Sequence, residues 1–271
     1  MTIESLFLRS ADRADIPRHP RWGGPMIIPP EGGKPVYYSR VSSFAKILDD
    51  ASGLNNWYGR QTAVGLARRK DLMGRVATTR ADDKDGLNEI VSQAMAAAES
   101  DAAANKGTAL HSATEHVDLG GDLTTLPDEM QADVAAYMAA TMNVEMLALE
   151  QFVVLDTLKL GGTFDRLIRL PDGRTCIADL KTGQYAATYG AQTVAIQMAL
   201  YAHGLLYTPD GTREPLTGVD QDTAVLIHLP VGTGTCALYE LDIATAWQMA
   251  QVSHVVKAWR KRRDVATPVN Y

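Results

Sequence analysis

Residues 161–183 read GGTFDRLIRLPDGRTCIADLKTG. Two apolar segments, GGTFDRLIRL and RTCIADLK, flank Pro171-Asp172-Gly173. Proline presets the backbone for a turn and glycine supplies a positive φ at no steric cost, so the stretch predicts a β-hairpin. Strand side chains alternate between faces. Asp179 and Lys181 therefore share one face, and Leu180 points to the other. Asp165 and Asp179 are equidistant from Asp172, so a hairpin centred there sets the two carboxylates opposite each other. Such a pair repels and loses hydration, and without a counter-charge one member is driven to protonate. Two arrangements relieve this. One is a surface hairpin whose acids are salt-bridged to lysine. The other is a divalent cation, with Lys181 neutralising charge on a phosphate; hard oxygen ligands with room for water suit Mg²⁺. The hairpin residues alone leave both open. Three neighbours bear on the choice. Gly161-Gly162 stands where a backbone must approach something closely. Thr182-Gly183 ends the strand directly after the lysine. A following helix carries Gln197 and Tyr201 at i,i+4, on one face.

Outward from the hairpin, residues 10–36 are dense in proline and glycine and predict an extended arm rather than a packed helix. Ser42-Ser43 opens a first helix that Gly53 should stop. A longer helix is predicted from Leu54 to Thr78, another over 85–118, and one more over 128–150, started by Pro127-Asp128. Strand character begins near Glu150 with QFVVLD. After the hairpin, helical periodicity returns over 188–207. TAVLIHLP (223–230) and CALYELDI (236–243) read as a strand pair joined by the turn at 231–234, and a last helix covers 244–263. The order of helices, three strands, helix, two strands, helix predicts a mixed α/β or α+β core behind a helical N-terminal region.

The 271 residues, 46% of them hydrophobic, suffice for one large domain or a domain with an appendage. The net charge of −6 does not announce a nucleic-acid binder. Two basic runs are nevertheless present: Arg60, Arg68, Arg69, Lys70, Arg75 and Arg80, and then Lys257, Arg260, Lys261, Arg262 and Arg263 around Trp259. They read as solvated helix faces or as phosphate tracks with salt-sensitive binding. The two cysteines, Cys176 and Cys236, form no Cys-x-x-Cys pair, which excludes zinc or iron–sulfur sites built from thiolates. Two buried free thiols of a cytosolic protein are expected in preference to a disulfide. The opening MTIESLFLRSADRAD lacks a basic segment and a long apolar run, so no signal peptide is expected. No apolar stretch reaches the ~18 residues of a membrane span. Together these predict a soluble intracellular protein. The absence of a G-x-x-x-x-G-K-[ST] pattern excludes a P-loop motor.

Gly162-Thr163-Phe164-Asp165, Asp179-Leu180-Lys181-Thr182 and Gln197-Met198-Ala199-Leu200-Tyr201 follow Gly107-Thr108-Ala109-Leu110-His111 in the chain. In order and approximate spacing across 105–205 they resemble the PD-(D/E)XK nuclease superfamily, and within it the RecB-like exonuclease branch. The whole chain, including Tyr38–Phe44, is more loosely similar to RecB-like nucleases of bacteriophages. The resemblance implies a restriction-endonuclease-like core with a central mixed β-sheet flanked by helices. It would occupy one domain over 41–271, with a helical part at 41–104 and a catalytic core at 105–271, behind an arm at 1–40. It implies Asp165, Asp179 and Lys181 as catalytic residues. It also implies one or two Mg²⁺ or Mn²⁺ ions held by His111, Asp165, Asp179 and the Leu180 carbonyl. Gln197, Tyr201 and Thr182 would contact substrate phosphate or hold Lys181. Glu115 shares the His111 face and would position it, or is simply a solvated glutamate; Glu150 is a weaker candidate. Without the resemblance, His111 reads as an ordinary helix histidine, and Gln197 and Tyr201 as a core-facing stripe. Some members of the branch hold an iron–sulfur cluster through four cysteines, which this chain lacks.

The implied activity is hydrolysis of phosphodiester bonds from DNA ends, single- or double-stranded, in phage recombination or replication. A separate recombinase, annealing protein or helicase would be a partner, with no membrane involved and the host cytoplasm as the site of action. Two other readings stay open. One is a non-catalytic DNA-binding or scaffold protein that reuses the fold; the other is a sequence-specific endonuclease.

Overall fold

The computed structural model describes residues 16–100 and 102–269. In chain order the elements are β1 (Met26–Ile27), β2 (Val36–Tyr37), β3 (Ser39–Arg40), α1 (Val41–Ala45), α2 (Ser52–Arg68), α3 (Lys70–Thr78), α4 (Lys84–Ala97), α5 (Ala102–Asp118) and α6 (Asp128–Thr141). There follow β4 (Glu145–Leu155), β5 (Leu160–Arg169), β6 (Thr175–Lys181), α7 (Ala186–Tyr189), α8 (Ala191–Ala202), β7 (Leu205–Tyr207), β8 (Arg213–Pro215), β9 (Thr223–His228), β10 (Ala237–Asp242) and α9 (Ile243–Lys261). Contacts divide the chain into two compact units, Met1–Leu48 with Leu110–Tyr271, and Asp49–Ala109.

The larger unit is built on the hairpin. β5 and β6 pair antiparallel, with Arg166 opposite Ala178 and Arg169 opposite Thr175. Gly173 takes φ +91° in the turn between them. The sheet runs β10-β9-β6-β5-β4-β7-β8, with β3 added in parallel on β5. It is mixed, because β6 and β9 are parallel while their neighbours are antiparallel. A parallel pair needs a crossover, and the segment carrying α8 provides it. One face of the sheet buries Leu167, Ile177 and Leu226 against Phe44 of α1, Val194 and Met198 of α8, and Ala246 and Ala250 of α9. The other buries Ile168, Cys176, Ala178, Leu180 and Ile227 against Leu110 and Ala113 of α5 and Val134 and Tyr137 of α6. A central mixed sheet flanked by helices is the fold class predicted. Cys176 and Cys236 are free thiols. Among the described residues no helix is long and apolar enough to cross a membrane.

Several boundaries differ from the sequence reading. Gly53 does not stop a helix; it is the second residue of α2. The helix predicted over 54–78 is split at Arg69, whose φ −118° and ψ 82° leave the helical region. The one predicted over 85–118 is split between α4 and α5, where Glu99 takes φ +56°. Helix 128–150 ends at Thr141, and 145–150 is already strand. EMLALE is made of good helix formers, but it pairs along β5 and buries 147–150; tertiary pairing overrides local propensity. Helix 188–207 ends at Ala202, and 205–207 becomes β7 on the edge of β4.

The smaller unit buries Leu72, Ile90 and Ala94. A Cβ on Gly65 of α2 would collide with the Ala94 carbonyl, so glycine is what lets α2 and α4 approach. The first basic run is largely cancelled here. Arg68 faces Glu99 (3.9 Å), Arg69 faces Asp71 (2.6 Å), Arg75 faces Glu89 (3.7 Å) and Arg80 faces Asp82 (2.9 Å). The second run is partly engaged too. Lys257 donates to Ser39 Oγ (3.0 Å) and lies 5.2 Å over the Phe44 ring, while Arg262 pairs with Asp264.

The described part of the proline-rich segment contains no helix; it folds back through turns, with Arg18 bridged to Pro25 and β1 paired antiparallel to β2, and it is packed. Ile27 and Tyr38 are buried with Phe152, Val154 and Tyr207. A polar latch closes over them. Tyr38 Oη donates to Asp156 (2.7 Å), and Arg213 donates through Nε and Nη2 to the same carboxylate (2.7 and 2.8 Å). Arg213 Nη2 also donates to the Ile28 carbonyl (2.7 Å). Burial works against the ionised Asp156 carboxyl, but the Arg213 and Tyr38 hydrogen bonds more than offset it and hold its pKa below the ordinary value. A depressed carboxyl stabilises the fold fully above its unfolded pKa, near 3.9, and less as pH falls through the folded value. Asp156→Asn is expected to lower the urea midpoint at pH 7. The gap to wild type should narrow below about pH 4 as the wild-type carboxyl protonates.

Candidate active site

The β5–β6 ladder ends at Arg166 opposite Ala178, one residue short of Asp165 and Asp179 on the two strands. Asp165 Oδ2 accepts a hydrogen bond from the Leu180 backbone N–H at 3.0 Å. On the neighbouring strand Asp179 is 1% exposed. Its Oδ2 is ion-paired with the Lys181 ammonium, and its Oδ1 accepts from Gln197 Nε2 at 3.2 Å. Gln197 Nε2 also lies 3.3 Å from Tyr201 Oη. From the opposite layer, α5 brings His111 Nδ1 to 3.7 Å from Asp165 Oδ2. The hairpin, α5 and α8 thus converge on two carboxylates, a lysine, an imidazole, an amide and a phenol.

Local sequence explains much of this convergence. A Cβ on Gly162 would lie 3.0 Å from the Tyr201 ring and 3.1 Å from its hydroxyl. The glycine leaves room for the tyrosine that reaches Gln197, which is the close approach its position predicts. Lys181 O accepts from Leu229 N at 3.0 Å, on the β9 side. Successive strand carbonyls point to opposite sides, so the Leu180 carbonyl faces β5, as its N–H does. Thr182 is half-buried, and its carbonyl accepts from Val231 N at 3.3 Å. Glu115 is half-buried on α5, and its charge is the smallest of those acting on His111.

Burial, and then the Asp165 charge, push the Asp179 carboxyl above the ordinary carboxylate range even with Lys181 upon it. Burial lowers the His111 pKa, against the pull of Asp165, and so favours the neutral imidazole with a free lone pair. Burial opposes charge on Lys181 as well, but Asp179 and Asp165 hold its pKa up, so it stays an ammonium. Among the described residues no three His, Cys, Asp or Glu side chains form a ready-made metal cage. The donor set is two carboxylates, a neutral imidazole and a carbonyl, and it carries more negative charge than Lys181 offsets. Such a set fits a hard divalent cation.

Sequence reasoning passed over Arg166. It is fully buried beside Asp165. Its Nε donates to Asp118 (2.8 Å) and its Nη2 to Thr114 Oγ1 (2.8 Å), while Thr114 in turn donates to the His111 carbonyl (2.8 Å). Tyr137 of α6 donates to Asp118, and its ring lies 5.3 Å below the guanidinium carbon. This network ties the helix of His111 to the strand of Asp165. Consecutive strand residues should face opposite ways, yet Asp165 and Arg166 both reach α5. The departure falls opposite Glu150, which is buried and takes φ +51°. The one available signal was a second charged residue directly after Asp165 in a mostly apolar strand, and no motif contains it.

Two comparisons bear on this arrangement. The family model of the PD-(D/E)XK nuclease superfamily matches residues 76–262, more than half of the chain and all of the converging side chains. No curated protein matches.

Breaking a buried ion pair by removing one partner leaves the other charge uncompensated and typically costs about 3–5 kcal/mol. Arg166→Met should destabilise the protein on that scale in urea unfolding. Adding Asp118→Asn should recover part of the loss, because the stranded carboxylate is then gone.

Proposed function

The chain belongs to the PD-(D/E)XK nuclease superfamily, and from that premise we propose a RecB-like deoxyribonuclease that hydrolyses phosphodiester bonds from DNA ends. The superfamily makes it a nuclease, whose members generally use divalent metal ions. The observation that carries the finer reading is the meeting of Asp165, Asp179 and Lys181 on one hairpin, with His111 beside Asp165. A non-catalytic DNA-binding protein gains nothing from an acid pair facing phosphate.

Asp165, Asp179, His111 and the Leu180 carbonyl would hold one or two Mg²⁺ or Mn²⁺ ions, imidazole being a good ligand for Mn²⁺. Bound metal would supply Lewis acidity and charge neutralisation at the scissile phosphate. Lys181 carries a proton throughout and donates to phosphate oxygens as negative charge builds on them. Gln197 orients the Asp179 carboxylate, and Tyr201 holds Gln197 against Gly162. Asp165 fixes its carboxylate on the Leu180 amide, so Leu180 joins the two strands at the reacting centre. Thr182 and Glu115 would add contacts to phosphate and to His111. The reaction belongs to recombination or replication of phage DNA in the host cytoplasm, alongside a recombinase, annealing protein or helicase.

End-labelled linear DNA and covalently closed circular DNA, each incubated with Mg²⁺ or Mn²⁺, test the reading directly. Loss of the linear substrate with the circle spared is the expected result; nicking of the circle would make the enzyme an endonuclease. Asp179→Asn is nearly isosteric and should abolish cleavage in a protein that still unfolds cooperatively in urea. Lys181→Ala should reduce single-turnover cleavage by about 10²–10³-fold. DNA binding measured in Ca²⁺ should persist in that variant, since the lysine acts on charge that develops only during reaction.

A further inference from the structure

Between Lys181 and the end of α8, residues 182–202 contain no charged side chain. Within that span Tyr185 and Tyr189 are 61% and 83% exposed. Their ring centroids are 5.9 Å apart with planes inclined at 58°. Large aromatic rings left in water forgo the stabilisation of burial, and an exposed pair in contact marks an interaction surface. The pair stands on a fastened support. Tyr189 N donates to Tyr185 O at 2.9 Å, closing α7, and Ala186 N donates to Gly183 O at 3.2 Å. His228 Nε2 lies 2.9 Å from the same Gly183 carbonyl, and Val231 N donates to Thr182 O, so the segment is tied to β9 and the turn after it. Tyr185 follows Lys181 by four residues, a reach of at most about 14 Å, which a few nucleotides span.

The chemistry of this surface selects its occupant. Residues 182–202 offer aromatic faces and neutral polar groups and contribute no acid that would repel phosphate. Every nucleobase has a π-face, so aromatic rings hold single strands without reading sequence. A duplex keeps those faces inside its own stack. We propose that Tyr185 and Tyr189 form a stacking platform for unpaired bases of the strand whose phosphate lies at Lys181. The substrate class is then single-stranded DNA, including frayed ends. The substrate assignment rests on the nuclease reading above; the platform itself is tested by binding alone.

Fluorescence anisotropy in EDTA, with labelled oligothymidylate, an abasic strand of equal length and a blunt duplex, separates base contacts from phosphate contacts. Wild type should bind oligothymidylate about tenfold or more tightly than the abasic strand. The double variant Tyr185→Ala/Tyr189→Ala should lose that preference. Tyr185→Phe/Tyr189→Phe should keep it, because the rings remain. A preference retained by the alanine variant, or missing from wild type, overturns the platform. So does a wild-type dimer in sedimentation velocity that the alanine variant disperses without any base-dependent binding, since a second copy would then be the occupant. Cleavage is measured in parallel with Mg²⁺ or Mn²⁺. A wild type that cleaves DNA but binds both single strands equally sinks the platform and leaves the nuclease reading intact. One that prefers bases yet cleaves no strand sinks the nuclease reading, and with it the substrate assignment, while the binding face stands.

Discussion

A slip of one residue between β5 and β6 would turn Asp179 and Lys181 to the wrong face of the sheet, because side chains alternate with period two. The pairing of Arg166 with Ala178 prevents that slip. The turn at Asp172-Gly173 fixes the register from one end. The apolar partition fixes it along the length, since Ile177 belongs to one face and Cys176, Ala178 and Leu180 to the other. In the other register β6 would turn its acid and lysine toward Leu110, Ala113 and Val134 and away from Gln197. The core and the candidate active site therefore impose the same register.

Two charge clusters flank that hairpin, and each is tolerable only because it is internally paired. Arg166 is held between the sheet and α5 by Asp118, Tyr137 and Thr114 through its Nε and Nη2, while its Nη1 has no hydrogen-bond partner among the described residues. Lys181 and Gln197 hold Asp179 between the sheet and α8. Burial raises the cost of every unpaired charge and also sharpens the attraction between paired ones. Such clusters hold their members in one geometry, where an apolar core would accept several. The first cluster carries no surplus of reactive groups and acts as a strut. The second retains an acid whose pKa is raised and a lysine whose charge is held in place.

Surface charge has a different logic. The arginines that look like a phosphate track in sequence are mostly matched by acids in their own unit. Exposed ion pairs contribute little to stability, but they do remove the field that a polyanion would follow. The part of the surface nearest Lys181 along the chain is neutral and aromatic instead. Attraction to DNA there would come from stacking and from the site's own cations more than from a basic groove.

The sequence by itself determined what depends on short range. The hairpin, its turn, the shared face of Asp179 and Lys181 and the shared face of Gln197 and Tyr201 follow from strand alternation, turn chemistry and helical spacing. Gly162 could be read as a point of close approach, although not as the seat of Tyr201. The tertiary structure alone decided what depends on distant partners. EMLALE became strand because β5 was there to pair with it, and β7 formed because β4 had a free edge. Arg166 acquired its role from Asp118 and Thr114, 48 and 52 residues away in the chain. Glu150 took a left-handed backbone where the strand opposite turns two successive side chains toward one helix. Periodicity records which face a residue presents, but it carries no information about what will be packed against that face.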